Sequence, residues 1–377
     1  MHDNNKIKGL KNNMIKANIH MTDYRDIIAE KGTMCSSRKS RFIYKTTRYI
    51  KYYVSVVFIL WFVYFLQFWN IFLPKYKHDQ KHTPIFNEGY LLNNKTICSG
   101  IAQITALVVV HTATHHFQRR ENIRKTYGSR DLFLPAEVRV VFLLGKVTNP
   151  KTQDDINREF NKHGDVVQGD FIDSYHNLTI KGVMGLHWVS RYCPHVKYVV
   201  KLDDDVIFDM WKFLNVFNAN NLYASKTLYC DVSFHGIIRR VGKWAVPDHI
   251  LKGLANYPFP HCYGFVVIIS GDVISDLYRA TFRVPFFWVD DVYLFGMLPY
   301  EIQGISIKLF RKDMILKPKF DGLKCLQEKG EKCPVLAVTY SDNTFNDIWK
   351  LIKHRNHFTK TGSTSAMTVL PRVQHRV

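Results

Sequence analysis

One stretch of the chain, from Tyr52 to Leu73, contains 22 residues and no charged side chain. A helix of that length, at about 1.5 Å per residue, crosses a hydrocarbon core of roughly 30 Å. Tyr and Trp side chains lie near both ends of the stretch, where aromatic rings favour the membrane interface. A buried core helix is the alternative, but it would rarely lack a charged face over so many turns. We therefore predict a single transmembrane anchor over 52–73.

The basic residues are distributed unevenly around this stretch. Residues 1–51 contain twelve Lys and Arg against four Asp and Glu, a net charge of +8, whereas residues 74–90 have a net charge of +1. Because Lys and Arg stay on the cytoplasmic side of a membrane, we predict a cytosolic tail over 1–51 and a lumenal remainder. The formal charge of +20 would alone also fit nucleic-acid binding. The predicted topology excludes a nucleic-acid partner.

The cysteines agree with this orientation. Cys35 precedes the anchor and six cysteines follow it, an even number in a compartment that permits disulfides. Six cysteines allow many pairings, so we predict only the local bridge Cys325–Cys333. Glycosylation sequons at Asn94 and Asn177 become meaningful only in a lumen.

The lumenal part alternates short apolar runs with polar, helix-like ones. The hydrophobic share of 46% excludes a mostly disordered chain. We predict a polar stem over 74–97, a folded domain over 98–353 and a loose polar tail over 354–377. The alternation predicts an α/β fold with mostly parallel strands and helices on both faces of the sheet. The predicted strands are Ala106–Val110, Val138–Leu144, Val166–Gln168 and Tyr198–Leu202, and the helices between them are Gln118–Tyr127, Asp154–His163 and Asn177–Arg191.

Three consecutive aspartates, Asp203, Asp204 and Asp205, directly follow the last of these strands. In open α/β sheets, ligands bind just beyond the carboxyl ends of the strands. Adjacent carboxylates repel one another unless a cation offsets their charge, and in extended backbone Asp203 and Asp205 face one side while Asp204 faces the other. The alternative is a solvated acidic turn. The position after an apolar strand favours a Mg²⁺ or Mn²⁺ site shared with a diphosphate.

A second acidic pair, Asp290 and Asp291, follows the aromatic stretch 284–289. Two adjacent carboxylates beside an apolar segment supply one desolvated base with a raised pKa. The alternative is that one of them caps the predicted helix Val292–Leu298 by accepting a backbone N–H. Both roles are compatible.

A basic cluster, Arg119, Arg120, Arg124 and Lys125, follows the first strand of the domain. Arginines near strand ends bind phosphate oxygens through paired N–H groups, and on this ground we predict that Arg120 and Arg124 bind the substrate phosphates. The alternative, which is more common for such runs, is a solvated helix face.

Four blocks of the sequence resemble the β-1,3-glycosyltransferases of glycosyltransferase family 31. They match the patterns R-x-x-I-R-x-T-W, F-x-x-G, D-F-x-D-x-Y-x-N-L-T-x-K and K-x-D-D-D-V at Arg120–Tyr127, Phe142–Gly145, Asp170–Lys181 and Lys201–Val206. The resemblance covers about residues 105–298. It implies a GT-A fold, a Rossmann-like nucleotide half joined to an acceptor-binding half. The Asn177 sequon lies inside one of these blocks.

The resemblance also implies a site. Asp203, with Asp204, would belong to the nucleotide site near the uridine ribose, and Asp205 would hold Mn²⁺ against the diphosphate of a UDP-sugar. Asp291, matching the aspartate of the pattern E-D-V-Y, would be the general base of an inverting transfer. For the family's later metal-binding histidine, the candidates are His354 and His357.

The sequence departs from the family pattern over 257–270, where the family has Y-P-x-Y-C-x-G-x-G-Y-V-x-S. One residue is inserted before Cys262, and a bulky residue replaces a glycine. The leading prediction is a Golgi type II membrane enzyme that transfers a hexose, galactose ahead of N-acetylglucosamine, to a glycan on protein or lipid. The alternative, favoured by this departure, is a non-catalytic lumenal lectin or chaperone.

Overall fold

The computed structural model describes residues 51–64, 85–86, 89–219, 225–310, 315–317 and 319–364. The chain divides into two compact units, of residues 1–76 and 77–377. The first unit contains helix α1 over 51–64, whose large apolar side chains are exposed. Within the described residues, no helix combines the length and the hydropathy of a membrane span. Residues 65–73 of the predicted anchor lie outside the described residues, so the anchor stays a prediction.

The second unit is built on two sheets. The larger has eight strands in the order β1-β4-β3-β2-β5-β8-β7-β9, in which β2, β3, β4 and β5 are parallel and β8 runs antiparallel to β5. The smaller sheet has the order β10-β11-β6. The strands are β1 Tyr90–Leu92, β2 Ile104–His111, β3 Val138–Lys146, β4 Val166–Ile172, β5 Val196–Asp203, β6 Val206–Phe208, β7 Thr227–Ser233, β8 His261–Ser270, β9 Ser306–Leu309, β10 Ile315–Lys317 and β11 Val335–Thr339.

Helices cover both faces of the larger sheet. They are α2 Phe117–Arg124, α3 Pro150–His163, α4 Leu178–Tyr192, α5 Met210–Leu214, α6 Ile274–Ala280, α7 Asp290–Val292, α8 Leu298–Glu301, α9 Lys319–Lys329 and α10 Phe345–Thr364. A π-helical turn, Tyr293–Met297, joins α7 to α8. The caps of α3 explain its bounds, because Asn149 accepts hydrogen bonds from two amides of the first turn and Gly164 closes the helix at a φ of 65°.

The strand alternation places the core on both sides of the sheet. In β2, Leu107 and Val109 belong to one buried cluster, with α4 and α6, whereas Val108 and Val110 belong to the other, with α2 and the C-terminal helices. A strand buried on both faces reads as a continuous apolar run, which is why the sequence located β2, β3 and β5. The predicted α/β class with a parallel sheet is confirmed, and Gly145, expected to end β3, lies within it.

Two predicted domain boundaries need correction. The stem was expected to reach residue 97, but Phe86 is buried in the core and β1 pairs with β4. The loose tail was expected from residue 354, but α10 continues to Thr364 and its Arg355 is buried against Asp209. Both segments are anchored by tertiary contacts that a polar composition does not reveal.

Three disulfides join the cysteines of this unit. The predicted bridge Cys325–Cys333 is confirmed. The sequence left the other two open, and they are Cys98–Cys193 and Cys230–Cys262. The second of these links β7 to β8 beside the cleft described below.

Candidate active site

A cleft with a volume of about 590 Å³ opens at the carboxyl end of β5. Its walls come from β5, from β8, from the connection between β7 and β8, and from the start of α7. The acids that line it are Asp203, Asp290 and Asp291. Antiparallel pairing of β8 with β5 brings the second wall alongside the first. The cleft thus unites carboxylates from two motifs that lie far apart in the sequence.

Lys201 stands between these two groups of acids. Its side chain is only 4% exposed, and its ammonium donates a hydrogen bond of 2.6 Å to Asp203 Oδ1 and another to the carbonyl of Gly264. A buried cation at this point reduces the repulsion among the acids. Lys201 begins the block that matches K-x-D-D-D-V, but the sequence predicts no role for it, because nothing local shows that β8 passes beside it.

The β8 wall of the cleft is a bulge. Cys230 of β7 lies opposite Val267, whereas Val232 lies opposite Cys262, so extra residues of β8 loop out between these two pairs. Gly264 sits in this bulge, and a Cβ there would lie 3.1 Å from the Cβ of Asp291. Glycine therefore allows close approach to the candidate base.

The structure shows where the residues over 257–270 that depart from the family pattern lie. Val266, which replaces the second glycine of the family pattern, is fully buried in the hydrophobic core and does not line the cleft. The retained glycine, Gly264, is the one that contacts the site. The bulk introduced at 266 therefore leaves the described cavity open.

Asp291 has the properties of a base. Burial and the negative charge of Asp290 raise its pKa to about 6. Its Oδ1 accepts a hydrogen bond of 2.8 Å from the amide of the next residue, Val292. Burial raises the pKa of Asp290 too. The raised pKa of Asp291 agrees with the expectation from the sequence, whereas the predicted helix cap is not observed, because Val289 is the N-cap residue of α7.

Asp204 does not line the cleft: it lies with Asp205 in a turn between β5 and β6, so the alternation predicted for extended backbone does not apply to them. It is 6% exposed and accepts hydrogen bonds from Thr112 at 2.6 Å, His116 at 2.7 Å and Arg119 at 3.0 Å. Burial opposes its charge, but these bonds prevail and lower its pKa. Asp204 is therefore a structural anion, and the structure does not place it with Asp203 in the cleft.

Asp205 is the exposed member of the triplet. Desolvation by the surrounding protein, together with the charges of Asp203 and Asp204, raises its pKa. A divalent cation would relieve this crowding, and carboxylate oxygens suit Mn²⁺ or Mg²⁺. Within the described residues, no group of three or more His, Cys, Asp or Glu is arranged to hold a metal ion.

The first histidine candidate, His354, does not join the triplet. His354 lies exposed on α10 and, within the described side chains, forms no metal-binding group with the aspartates. His357 is on the same helix, and its side chain is outside the described residues. Neither assignment gains support.

The prediction for Arg120 and Arg124 needs correction. Arg120 is fully buried, and its Nη2 lies 2.7 Å from Glu159 Oε2. Arg124 pairs with the same glutamate at 2.8 Å and with Asp165 at 2.7 Å. Both guanidinium groups are committed to these carboxylates, and neither lines the cleft. The solvated-face alternative also fails for these two arginines, because tertiary packing buries them, but it holds for Lys125, which is exposed.

The run from Asp170 to Lys181, which matches a family block, stabilises the aspartate triplet through Lys181 and Thr112. Lys181 is buried, pairs with Asp173 at 2.9 Å and donates a 2.7 Å hydrogen bond to the carbonyl of Thr112. Thr112 in turn holds Asp204. Within the same run, Thr179 is fully buried and donates to the carbonyl of Phe287. The threonine of the Asn177 sequon thus stabilises the fold through a buried hydrogen bond.

Comparison with known proteins shows the family to which the chain belongs. The family model described as galactosyltransferase matches residues 118–309, which include all the acids of the cleft. β-1,3-Galactosyltransferase 1 of mouse and of human is 31% identical over 226 residues, covering 58% of this chain and 68% of the relative. The chain belongs to the galactosyltransferase family.

A second β-1,3-galactosyltransferase agrees with this family assignment. Human β-1,3-galactosyltransferase 5 is 31% identical over 265 residues, covering 66% of this chain and 78% of the relative. Among solved structures, the bifunctional glycosyltransferase WbbM matches with a TM-score of 0.34 and 9% identity, over 68% of this chain and 51% of that one. The chain studied is a β-1,3-galactosyltransferase-like glycosyltransferase, as its motifs predicted.

Proposed function

We propose that this protein transfers galactose from UDP-galactose to a glycan hydroxyl, forming a β-1,3 linkage with inversion at the anomeric carbon. The main support is that Asp203 and Asp291 line one cleft of about 590 Å³ and that the pKa of Asp291 is raised to about 6. A cleft of this volume is typical of small-molecule sites. The family assignment and the curated β-1,3-galactosyltransferases support the choice of sugar and linkage. We assign the domain to the GT-A fold on the same ground.

Asp291 acts as the base in the proposed transfer. Ionised at neutral pH, it accepts the proton of the acceptor hydroxyl, whose oxygen attacks the anomeric carbon from the face opposite UDP. As the new C–O bond forms, the bond from the anomeric carbon to the diphosphate oxygen breaks, and its electron pair leaves with UDP. Lys201 binds Asp203 at the opposite wall, and we propose that Asp203 lies towards the uridine ribose.

Asp205 is the residue of this chain that fits a divalent cation. When bound, Mn²⁺ would offset the charge developing on the departing diphosphate. The turn that carries Asp205 is held in place through its neighbour, because Thr112, His116 and Arg119 bind Asp204. The protein would contribute a positioned carboxylate there, and oxygens of the diphosphate would be further ligands.

We further propose that the enzyme is a type II protein of the Golgi membrane, anchored through residues 52–73, with its acceptor glycan on a glycoprotein or glycolipid. The charge asymmetry around residues 52–73 supports this orientation. Three disulfides in the second unit fit an oxidising compartment.

The test is a transfer assay on the full chain, expressed in a secretory host and purified in detergent. UDP-galactose and UDP-N-acetylglucosamine are compared with Mn²⁺ or with EDTA, and the linkage of the product is determined by NMR. We expect galactose transfer that EDTA abolishes. A wild-type protein that binds UDP but transfers no sugar would instead support the lectin or chaperone alternative.

A further inference from the structure

His261 lines the cleft but has no part in the chemistry proposed above. It is the first residue of β8 and shares the cavity with Asp203 and Asp291. Only 4% of it is exposed. The sequence did not single it out, because its position beside the cleft depends on the pairing of β8 with β7, where His261 lies opposite Ser233.

The imidazole of His261 is incompletely satisfied by the protein. Its Nδ1 is sealed from solvent and has no hydrogen-bond partner among the described residues, whereas Nε2 is not sealed. Buried polar atoms are nearly always hydrogen-bonded, and an exception calls for an explanation. Burial lowers the pKa of His261 to about 4, so the ring is neutral at physiological pH. A neutral ring carries one N–H, and placing it on Nε2 avoids sealing an unpaired donor.

The ring is held rigidly. A Cβ at Gly236 would lie 2.3 Å from His261 Cε1, and a Cβ at Gly296 would lie 2.7 Å from its Cβ, so glycine at both places leaves just enough room. The rings of Tyr257 and Tyr263 flank it at 5.3 Å and 6.1 Å between centroids. A polar group fixed in this way is suited to discriminate between ligands, because it cannot turn to another partner.

We propose that His261 donates a hydrogen bond from Nε2 to a hydroxyl of a sugar bound beside Asp291, and thereby determines which sugar the cleft accepts. The inference rests on the proposed function. A neutral donor favours a hydroxyl over a phosphate or carboxylate, which charged donors bind more strongly. The hydroxyl comes from the donor sugar or from the acceptor sugar, and kinetics distinguish the two.

The deciding variants are His261→Phe and His261→Gln in the full chain. Phe keeps an aromatic ring and removes both nitrogens, whereas Gln retains an N–H donor near the position of Nε2. Each variant is assayed for galactose transfer to a panel of p-nitrophenyl glycosides, for hydrolysis of UDP-galactose without acceptor, and for thermal unfolding. We expect kcat/KM for transfer to fall about tenfold or more in the Phe variant, with partial recovery in the Gln variant and no drop in the melting temperature of the Phe variant.

The source of the hydroxyl follows from which constant changes. If the hydroxyl belongs to the donor, the KM for UDP-galactose and the rate of hydrolysis change together. If it belongs to the acceptor, the acceptor KM changes while hydrolysis stays at the wild-type rate. Unchanged transfer in a folded His261→Phe variant, or activity lost only in proportion to stability in both variants, overturns the inference. A wild type that neither transfers nor hydrolyses UDP-sugars overturns the proposed function, and this inference with it.

Discussion

The phenolic hydroxyl of Tyr340 donates a hydrogen bond of 2.7 Å to the backbone carbonyl of Asp204. The amide of Tyr340 donates another, of 2.9 Å, to the carbonyl of Asp205. Tyr340 follows β11, whose neighbour β6 begins immediately after the aspartate triplet. The C-terminal segment therefore fixes the backbone of the turn that presents the candidate metal ligand.

Tyr340→Phe should loosen this turn. The substitution leaves the buried carbonyl of Asp204 without the phenol, and we expect a loss of about 1–2 kcal/mol in the free energy of unfolding. Because the turn carries Asp205, the Mn²⁺ concentration for half-maximal transfer should rise as well. Tyr198→Phe is the control, since Tyr198 is equally aromatic and buried but donates to the carbonyl of Phe217. An equal change in Mn²⁺ requirement in both variants would contradict the positioning role.

Asp291→Asn tests the base. The amide cannot accept the acceptor proton, and we expect kcat to fall by about 10²–10⁴-fold, with UDP binding retained because the opposite wall is intact. Asp290→Asn is the matched control one residue away, and it should retain more activity. Isothermal titration with UDP and initial-rate assays measure the two effects. A larger loss for Asp290→Asn would move the base to that residue.

The pKa of Asp291 near 6 predicts the pH profile of the enzyme. Only the carboxylate accepts a proton, so kcat/KM should rise as pH increases through about 6 and then level off. The rise should disappear in Asp291→Asn. An apparent pKa below 5 in the wild type would show that the free enzyme does not desolvate this group.

The raised pKa of Asp291 also affects stability, but stability should fall over the pH range in which activity rises. A carboxyl whose folded-state pKa lies above its unfolded value stabilises the protonated fold, and this contribution is lost as pH rises through about 6. Relative to the wild type, Asp291→Asn should therefore gain on the order of 2 kcal/mol between pH 4 and pH 8. Urea unfolding at the two pH values measures the difference, and a gain at low pH instead would refute it.

Asp205 and Asp204 should respond differently to the same change. Asp205→Asn should raise the Mn²⁺ requirement with little effect on the melting temperature, because the side chain is exposed. Asp204→Asn should lower the melting temperature, since it removes a buried anion that Thr112, His116 and Arg119 bind. Metal titrations and thermal unfolding of both variants provide the comparison. The reverse pattern would exchange the two roles.

Arg120 should matter for stability and not for the substrate. Arg120→Ala leaves Glu159 buried with one partner fewer, and we expect a loss of about 3–5 kcal/mol. The milder Arg124→Lys should stay folded and keep the KM for UDP-galactose, since Arg124 is paired with Asp165 away from the cleft. A raised KM without a loss of stability would restore the phosphate-binding prediction.

Local patterns in the sequence were sufficient for much of the fold. The apolar runs located β2, β3 and β5, because strands covered on both faces must be apolar throughout. Gly164 marked the end of α3, since only glycine adopts its backbone conformation freely. Residue type and position identified the triplet from Asp203 to Asp205 and the pair Asp290 and Asp291. The choice of Asp291 as the base came from the resemblance to the family.

Only the tertiary structure decided which of these residues share a site. Arg120 and Asp204 carry charges that suit a ligand, yet each is neutralised by partners from distant segments, Glu159 and Arg119. Conversely, no local pattern places Lys201 or His261 in the cleft, because their positions there depend on how β8 pairs with β5 and β7. The sequence by itself determined the chemistry that is available to this protein, through residue types and their spacing. The long-range pairing of strands determined which charges remain free to act, because a charge buried against its opposite cannot also bind a substrate.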